Sequence, residues 1–300
     1  MKSESCSSEK QSAGGFVGGG IWKEGFHIIT TTLLSLLLPL SFLLLARISA
    51  AHYLLAVPGG NAPLSSSTVV SFLFLYGNSV ILYSLVSLVS VAALVYVVTG
   101  KRVNFFRHVS SSSSSSLDLI ISLRSRLYTC WILLCALQVC VELGIEGSIA
   151  AGIDGCGFRK DNTSNFFLSK AIFFLGLHEV MRYWSTSIVK PVVDDTVLGY
   201  VKEEKLVERV AMAVSFGWLW WWRLRDEIDS LVVVAELKRE LPEGVGLVDF
   251  IGWWLYYLTV LIGSFRILKG FIWVGMVMLF KKVEEEEEPS NNAQEIDEKV

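Results

Sequence analysis

Residues 26–47 read FHIITTTLLSLLLPLSFLLLAR, a run with no acidic side chain whose single arginine, Arg47, stands at its end. At about 1.5 Å of rise per residue such a run crosses the ~30 Å hydrocarbon core of a bilayer. A soluble helix of this length needs a polar face, and none recurs here at helical spacing. Five further runs have the same character: 70–98, 127–150, 166–189, 206–222 and 247–265. The fold expected is therefore all-α, a helical integral membrane bundle of about six transmembrane helices over residues 26–280. In lipid, a helix satisfies its own backbone polar groups, which leaves few other solutions.

Composition agrees. Apolar residues make up 52% of the chain and charged residues 18%, against roughly 25% charged in ordinary soluble domains. The formal net charge is −3, and Lys and Arg sit beside the apolar runs without forming a basic face, which excludes a nucleic-acid partner. Five cysteines show no disulfide or metal spacing; Cys130, Cys135 and Cys140 lie inside one apolar run, where the residue acts as a small hydrophobe. The first apolar run exceeds the 7–15 residues of a signal-peptide core and reads as a signal-anchor.

The segments between the runs are polar. Residues 1–25 and 281–300 read as disordered cytosolic tails, the second carrying five consecutive glutamates from Glu284. Residues 99–126 are basic and contain the serine run Ser110–Ser116, a flexible linker. The 190–205 connector mixes acids and bases. Residues 226–241 place Ile228, Leu231, Val234 and Leu241 near one face and end at Pro242, the pattern of an amphipathic helix able to lie in the interface plane. Residues 267–280 continue the last apolar run beyond Arg266 and read as an interfacial or projecting helix, or as a short further crossing. Trp218, Trp220, Trp221 and Trp222 before Arg223 form an aromatic belt and a charge anchor. The fifth run is the shortest, and its failure to cross would move the C-terminus outside.

Orientation follows from the Lys/Arg bias. With both termini cytosolic, sixteen Lys/Arg fall inside and seven outside. Asn162, in an Asn-Thr-Ser sequon, is then exterior and open to glycosylation. The lipid bilayer is the primary partner, and loops 99–126 and 190–205 are the surfaces for protein partners. The membrane of residence is the plasma membrane or an endomembrane.

Ionisable groups at membrane depth are costly and mark candidate sites. They are Glu142 and Glu146 in the third run, Lys170, His178, Glu179 and Arg182 in the fourth, and Glu208 in the fifth. Rise arithmetic sets Glu146 opposite Lys170 and Arg182 near Glu208, with Glu179 and Arg182 able to pair within one helix. Two readings follow. Either these are salt bridges that fix helix order, or His178 and Glu179 line a polar cleft between the third and fourth spans that serves a transporter or channel. His178-Glu179 opens like the zinc motif H-E-x-x-H, but Arg182 replaces the second ligand, so no metal or cofactor is expected. No P-loop, nucleophile elbow or dinucleotide turn occurs, which makes an enzyme the least supported class.

The stretch Arg124–Gly199, with LHEVMRYW at 177–184 and VKPVVDD at 189–195, resembles multi-pass membrane proteins of plants to which no activity is assigned. The resemblance implies a six-span membrane fold and carries no mechanism. The function expected is non-catalytic, in membrane assembly, interaction or signalling.

Overall fold

The computed structural model describes residues 16–56, 68–101, 116–150, 165–200, 203–239 and 246–287. Among them every regular element is helical. Four stretches are long and apolar enough to cross a membrane: Trp22–Tyr53, Gly77–Thr99, Arg124–Ile149 and Leu247–Lys282. The chain is therefore a helical protein with the apolar helices of a membrane protein.

Helices α1 (Phe16–Ser35) and α2 (Leu37–Ala56) form one run broken at Leu36. Pro39 has no N–H to give the Ser35 carbonyl, and the chain tightens there: Leu36 N reaches both Thr32 O and Leu33 O at 3.1 Å. Helix α3 (Thr68–Thr99) ends at Gly100, whose φ of 71° is the left-handed stop that closes a helix. The Lys269 ammonium bonds Val97 O in its last turn, a cation where the helix dipole is negative. Helix α4 (Ser116–Ala150) crosses α3 and α2, with Asn78 Nδ2 donating to Cys140 O at 2.8 Å.

Helix α5 (Asn165–Trp184) does not stop where its apolar run ends. It continues through a π turn (Ser185–Val189), α6 (Lys190–Val193) and a second π turn (Asp194–Leu198) to Gly199, at φ 72°. Pro191 explains the irregularity, because it leaves the Ser187 carbonyl without its helical donor. That oxygen instead lies 3.5 Å from Cys130 Sγ, whose thiol donates from α4. The chain then runs back along α5 as α7 (Leu206–Ser215), a π turn (Phe216–Trp220), α8 (Trp221–Glu227) and α9 (Ser230–Lys238), and returns as α10 (Leu247–Glu287).

α5 and α10 pack most extensively, and they run parallel. Ser169 meets the Tyr256 hydroxyl at 3.3 Å, and Phe173 stacks on Tyr256 with centroids 4.8 Å apart. Glu179 meets Arg266 at 3.0 Å. At the crossing a Cβ on Gly176 would fall 1.9 Å from Thr259 O, and one on Gly263 would fall 2.1 Å from Ile172 O. Only glycine lets two membrane helices touch backbone to backbone in this way. The core on either side holds Phe42, Leu82, Leu137, Leu177, Met181 and Trp184, all nearly or fully buried.

Several boundaries differ from expectation. Helix α1 begins at Phe16 and α10 runs to Glu287, so parts of both supposed tails are helical. The Lys205–Glu24 pair at 2.9 Å ties the first to α7, and a glutamate run favours helix in the second. α4 begins at Ser116, which shortens the 99–126 loop; residues 102–115 lie outside the described residues, as does Asn162. The 190–205 connector is helical to Leu198, with Asp194 buried. The fifth run is no short helix, since no breaker occurs before Pro242 and the helical path extends to Lys238. Its 226–241 part does not lie flat in an interface: α9 buries Leu231, Val232, Val234 and Ala235 against α2 and α10.

Replacing Gly176 or Gly263 with alanine should lower thermal stability in detergent, by roughly 1–3 kcal/mol as for other overpacked cores. Gly275→Ala, where a Cβ meets nothing within 4 Å, should leave the melting temperature unchanged.

Candidate functional site

The ionisable groups within the bundle form separate clusters, each joining segments remote in sequence. At the end where α2 finishes and α5 begins, Arg47 grips Glu227 through two contacts, Nε to Oε2 at 2.6 Å and a terminal nitrogen to Oε1 at 3.0 Å. Lys170 Nζ reaches Asp229 Oδ2 at 2.6 Å and donates to Arg225 O at 3.3 Å. Ser230 Oγ donates to Ala46 O at 3.1 Å. Lys238 meets both oxygens of Asp249 at 2.9 Å. Burial pushes the Asp229 carboxyl above its ordinary range, and the hydrogen bond and charge of Lys170 pull it back.

The opposite end holds a second cluster. His27, with no exposed surface, places Nε2 2.6 Å from Asp194 Oδ1 and Nδ1 3.8 Å from Glu208 Oε1. Lys190 Nζ lies 3.4 Å from Glu208 Oε2. The four side chains come from α1, α6, the second π turn and α7, so one buried network fastens the first helix to the 190–208 region. His27 Nδ1 and Glu208 Oε1 are buried without a hydrogen-bond partner.

Between the two ends, α5 presents His178, Glu179 and Arg182. Glu179 Oε1 is shared: Arg266 Nε from α10 at 3.0 Å and an Arg182 nitrogen at 3.8 Å. His178 is half-buried, with its ring 5.7 Å from that of Phe216.

The pairings expected from rise arithmetic give way to others. Lys170 pairs with Asp229, not Glu146, and Glu208 pairs with Lys190 and His27, not Arg182. Glu142 and Glu146 are exposed on α4, where Glu142 accepts from Gln138 Nε2 at 3.2 Å. The Glu179–Arg182 pair within one helix does form. The seven candidates are thus distributed over four places, and Glu142 and Glu146 do not join His178 and Glu179 around one cleft. Among the described residues no group of three His, Cys, Asp or Glu is placed to hold a metal ion.

Sequence reasoning passed over His27, Asp194, Asp229 and Arg47 because each sits at the edge of an apolar run, where a charge needs no explanation. Arg266 and Lys269 were visible as interruptions of an apolar run, but their partners lie on other helices. No protein-family model, curated protein or solved structure matches the chain.

Lys170→Met alone strands the Asp229 carboxylate, and should destabilise the folded protein by up to about 3–5 kcal/mol. The double variant Lys170→Met/Asp229→Asn should recover most of that loss, giving a large coupling energy in a double-mutant cycle read by thermal or denaturant unfolding.

Proposed function

We propose that the chain is an integral membrane protein with six crossings and cytosolic termini, acting without catalysis as an assembly or interaction component through the 99–126 and 190–205 surfaces. The observation that carries this reading is the engagement of the interior charges with one another. Lys170–Asp229, Glu179–Arg266, His27–Asp194 and Lys190–Glu208 all join different helices or connectors. Paired groups of this kind fix helix order and orientation and line no open path.

The same pairs supply a depth scale. The twenty residues from Lys170 to Lys190 span about 30 Å, the thickness of the hydrocarbon core. Taking those two levels as the boundaries puts Arg47, Arg225 and Asp229 at one face. His27, Asp194 and Glu208 lie at the other. Exposed Trp222, Trp253, Trp254 and Tyr257 gather near the first face, as an aromatic belt does. The last crossing then runs from about Tyr256 to Phe280, displaced toward the C-terminus from 247–265. That placement accounts for the exposed apolar residues from Phe271 to Phe280, which face acyl chains before Lys281 and Lys282 anchor the end. It also sets Glu146 near the exterior boundary, where an exposed carboxylate is solvated.

The test is single-cysteine labelling of the full chain, lacking its native cysteines, with a membrane-impermeant thiol reagent. Cysteines at Ser113 and Asp195 should label from the cytosolic side, those at Asn162 and Glu236 from the other, and those at His178 and Glu179 from neither. Labelling of Ser113 and Asn162 positions from one face would remove the third crossing. Labelling at 178 and 179, with protection by a polar solute, would replace the proposal with a transport pathway.

A further inference from the structure

The outer face of α4 carries polar groups where lipid should lie. Gln138, Glu142 and Glu146 recur every four residues along one exposed stripe. The Gln138 amide donates to Glu142 at 3.2 Å, the one polar bond these three side chains make among the described residues. With Glu146 near the exterior boundary, Glu142 lies one turn inside the hydrocarbon, about 6 Å, and Gln138 about 12 Å. A carboxylate at that depth belongs against a neighbouring helix, because acyl chains do not solvate it. A second surface is left over with the opposite sign. Where α10 parts from α5, Arg266 and Arg182 share the single Glu179 carboxylate at 3.0 and 3.8 Å, and their side chains stay 47% and 34% exposed. Beyond them α10 exposes Phe271, Trp273 and Phe280. α4 and α10 each pack on α3 and share no extensive contact with one another, so one copy's acidic stripe is not neutralised by its own arginines.

We propose that these two surfaces meet between copies of this chain: the α4 stripe of one copy docks on the Arg266 edge of α10 in the next, within the membrane. Their levels agree. Glu179, and Arg266 with it, lies nine residues below Lys170, about 13 Å, close to the level of Gln138. Helical side chains lean toward their own N-terminus. α10 descends from the exterior and α4 rises toward it, so Arg266 leans up and Glu142 leans down across the roughly 7 Å between their levels. Deeper still, exposed Tyr128 and Ile132 of α4 come level with the uncovered apolar turns of α10. Charge decides the symmetry. A two-fold axis along the membrane normal would set Glu142 against Glu142, or Arg266 against Arg266. The head-to-tail contact sets opposite charges together, and it repeats into a ring where the rotation closes. The proposal rests on the crossings inferred above, which labelling at Ser113 and Asn162 tests separately.

The experiment cross-links two differently tagged versions of the full chain reconstituted together in liposomes. One keeps exposed Cys135 on the α4 face as its only cysteine. The other lacks the native five and carries Leu268→Cys on the exposed edge of α10. Both positions lie about 16 Å below the exterior boundary. A short membrane-permeant bifunctional thiol reagent should give a dimer bearing both tags, and each version alone should stay monomeric. A cross-linked dimer of either version alone, which is the two-fold contact, would overturn the proposal. Monomer throughout, with Ser113 and Asn162 positions labelling from opposite faces, overturns the docking and leaves the crossings intact. Resonance energy transfer between labelled chains, followed as lipid is diluted in, supplies the magnitude. Glu142→Gln, at an exposed position whose one bond a glutamine can keep, should weaken self-association by roughly three- to fifteenfold. Glu236→Gln, at an exposed carboxylate on α9, should leave it unchanged. Undiminished association of Glu142→Gln would also count against the docking.

Discussion

The backbone contact between α5 and α10 at Gly176 and Gly263 fixes more of this molecule than any other interaction. Two parallel helices that touch without intervening side chains have one register, and here that register sets Phe173 on Tyr256 and Glu179 on Arg266. Parallel neighbours cannot be joined by a short turn. The chain between them must climb back the length of α5, and the run α7–α9 does so. Its residues are constrained at each level by what α5 and α2 present: Glu208 by Lys190, Phe216 by His178 and Phe174, Asp229 by Lys170, Glu227 by Arg47.

Charge pairing does within this bundle what the hydrophobic effect does in a soluble core. Helices surrounded by lipid gain nothing from burying leucine against leucine, because acyl chains are as apolar as either. Order among helices must come from close approach and from groups that cannot be left alone. α5 carries most of those groups and is enclosed by neighbours, packed on α10, α3, α2 and α1. Its polarity and its central position are one fact: a helix holding Lys170, Glu179 and Arg182 is stable only where neighbours deliver Asp229 and Arg266. The two ends of the bundle are closed in the same manner, by Arg47–Glu227 and Lys238–Asp249 at one and by the His27 network at the other.

The helical class was legible from the length of the apolar runs alone, and the polar character of the fourth run was legible from four ionisable groups in one helix. What could not be read was which partner each group takes. Depth arithmetic treats helices as upright rods with known neighbours, and it put Glu146 beside Lys170. The actual neighbour is α10, with the α7–α9 run beside it, and nothing local in the sequence announces that choice except Gly176 and Gly263, two glycines eighty-seven positions apart. The extent of the helices was also under-read. Polar residues such as Asp194 and Arg223 look like loop formers in an apolar context, yet they continue helices because each finds a counter-charge or a solvated face.

Helix α10 draws these threads together. It has 41 residues, about 60 Å at the usual rise, twice what the hydrocarbon core requires. Its first turns pack against α9 outside the level of Lys170. Its middle is held to α5 by glycine, and its last apolar turns have no helix beside them among the described residues. A segment that is apolar on every side is stable only in an apolar surrounding. The exposed apolar stretch Phe271–Phe280 therefore supports the bilayer level proposed from the charged pairs. On the bilayer level proposed above, Glu179, Arg182 and Arg266 fall near its middle, where the one carboxylate is shared by both guanidiniums.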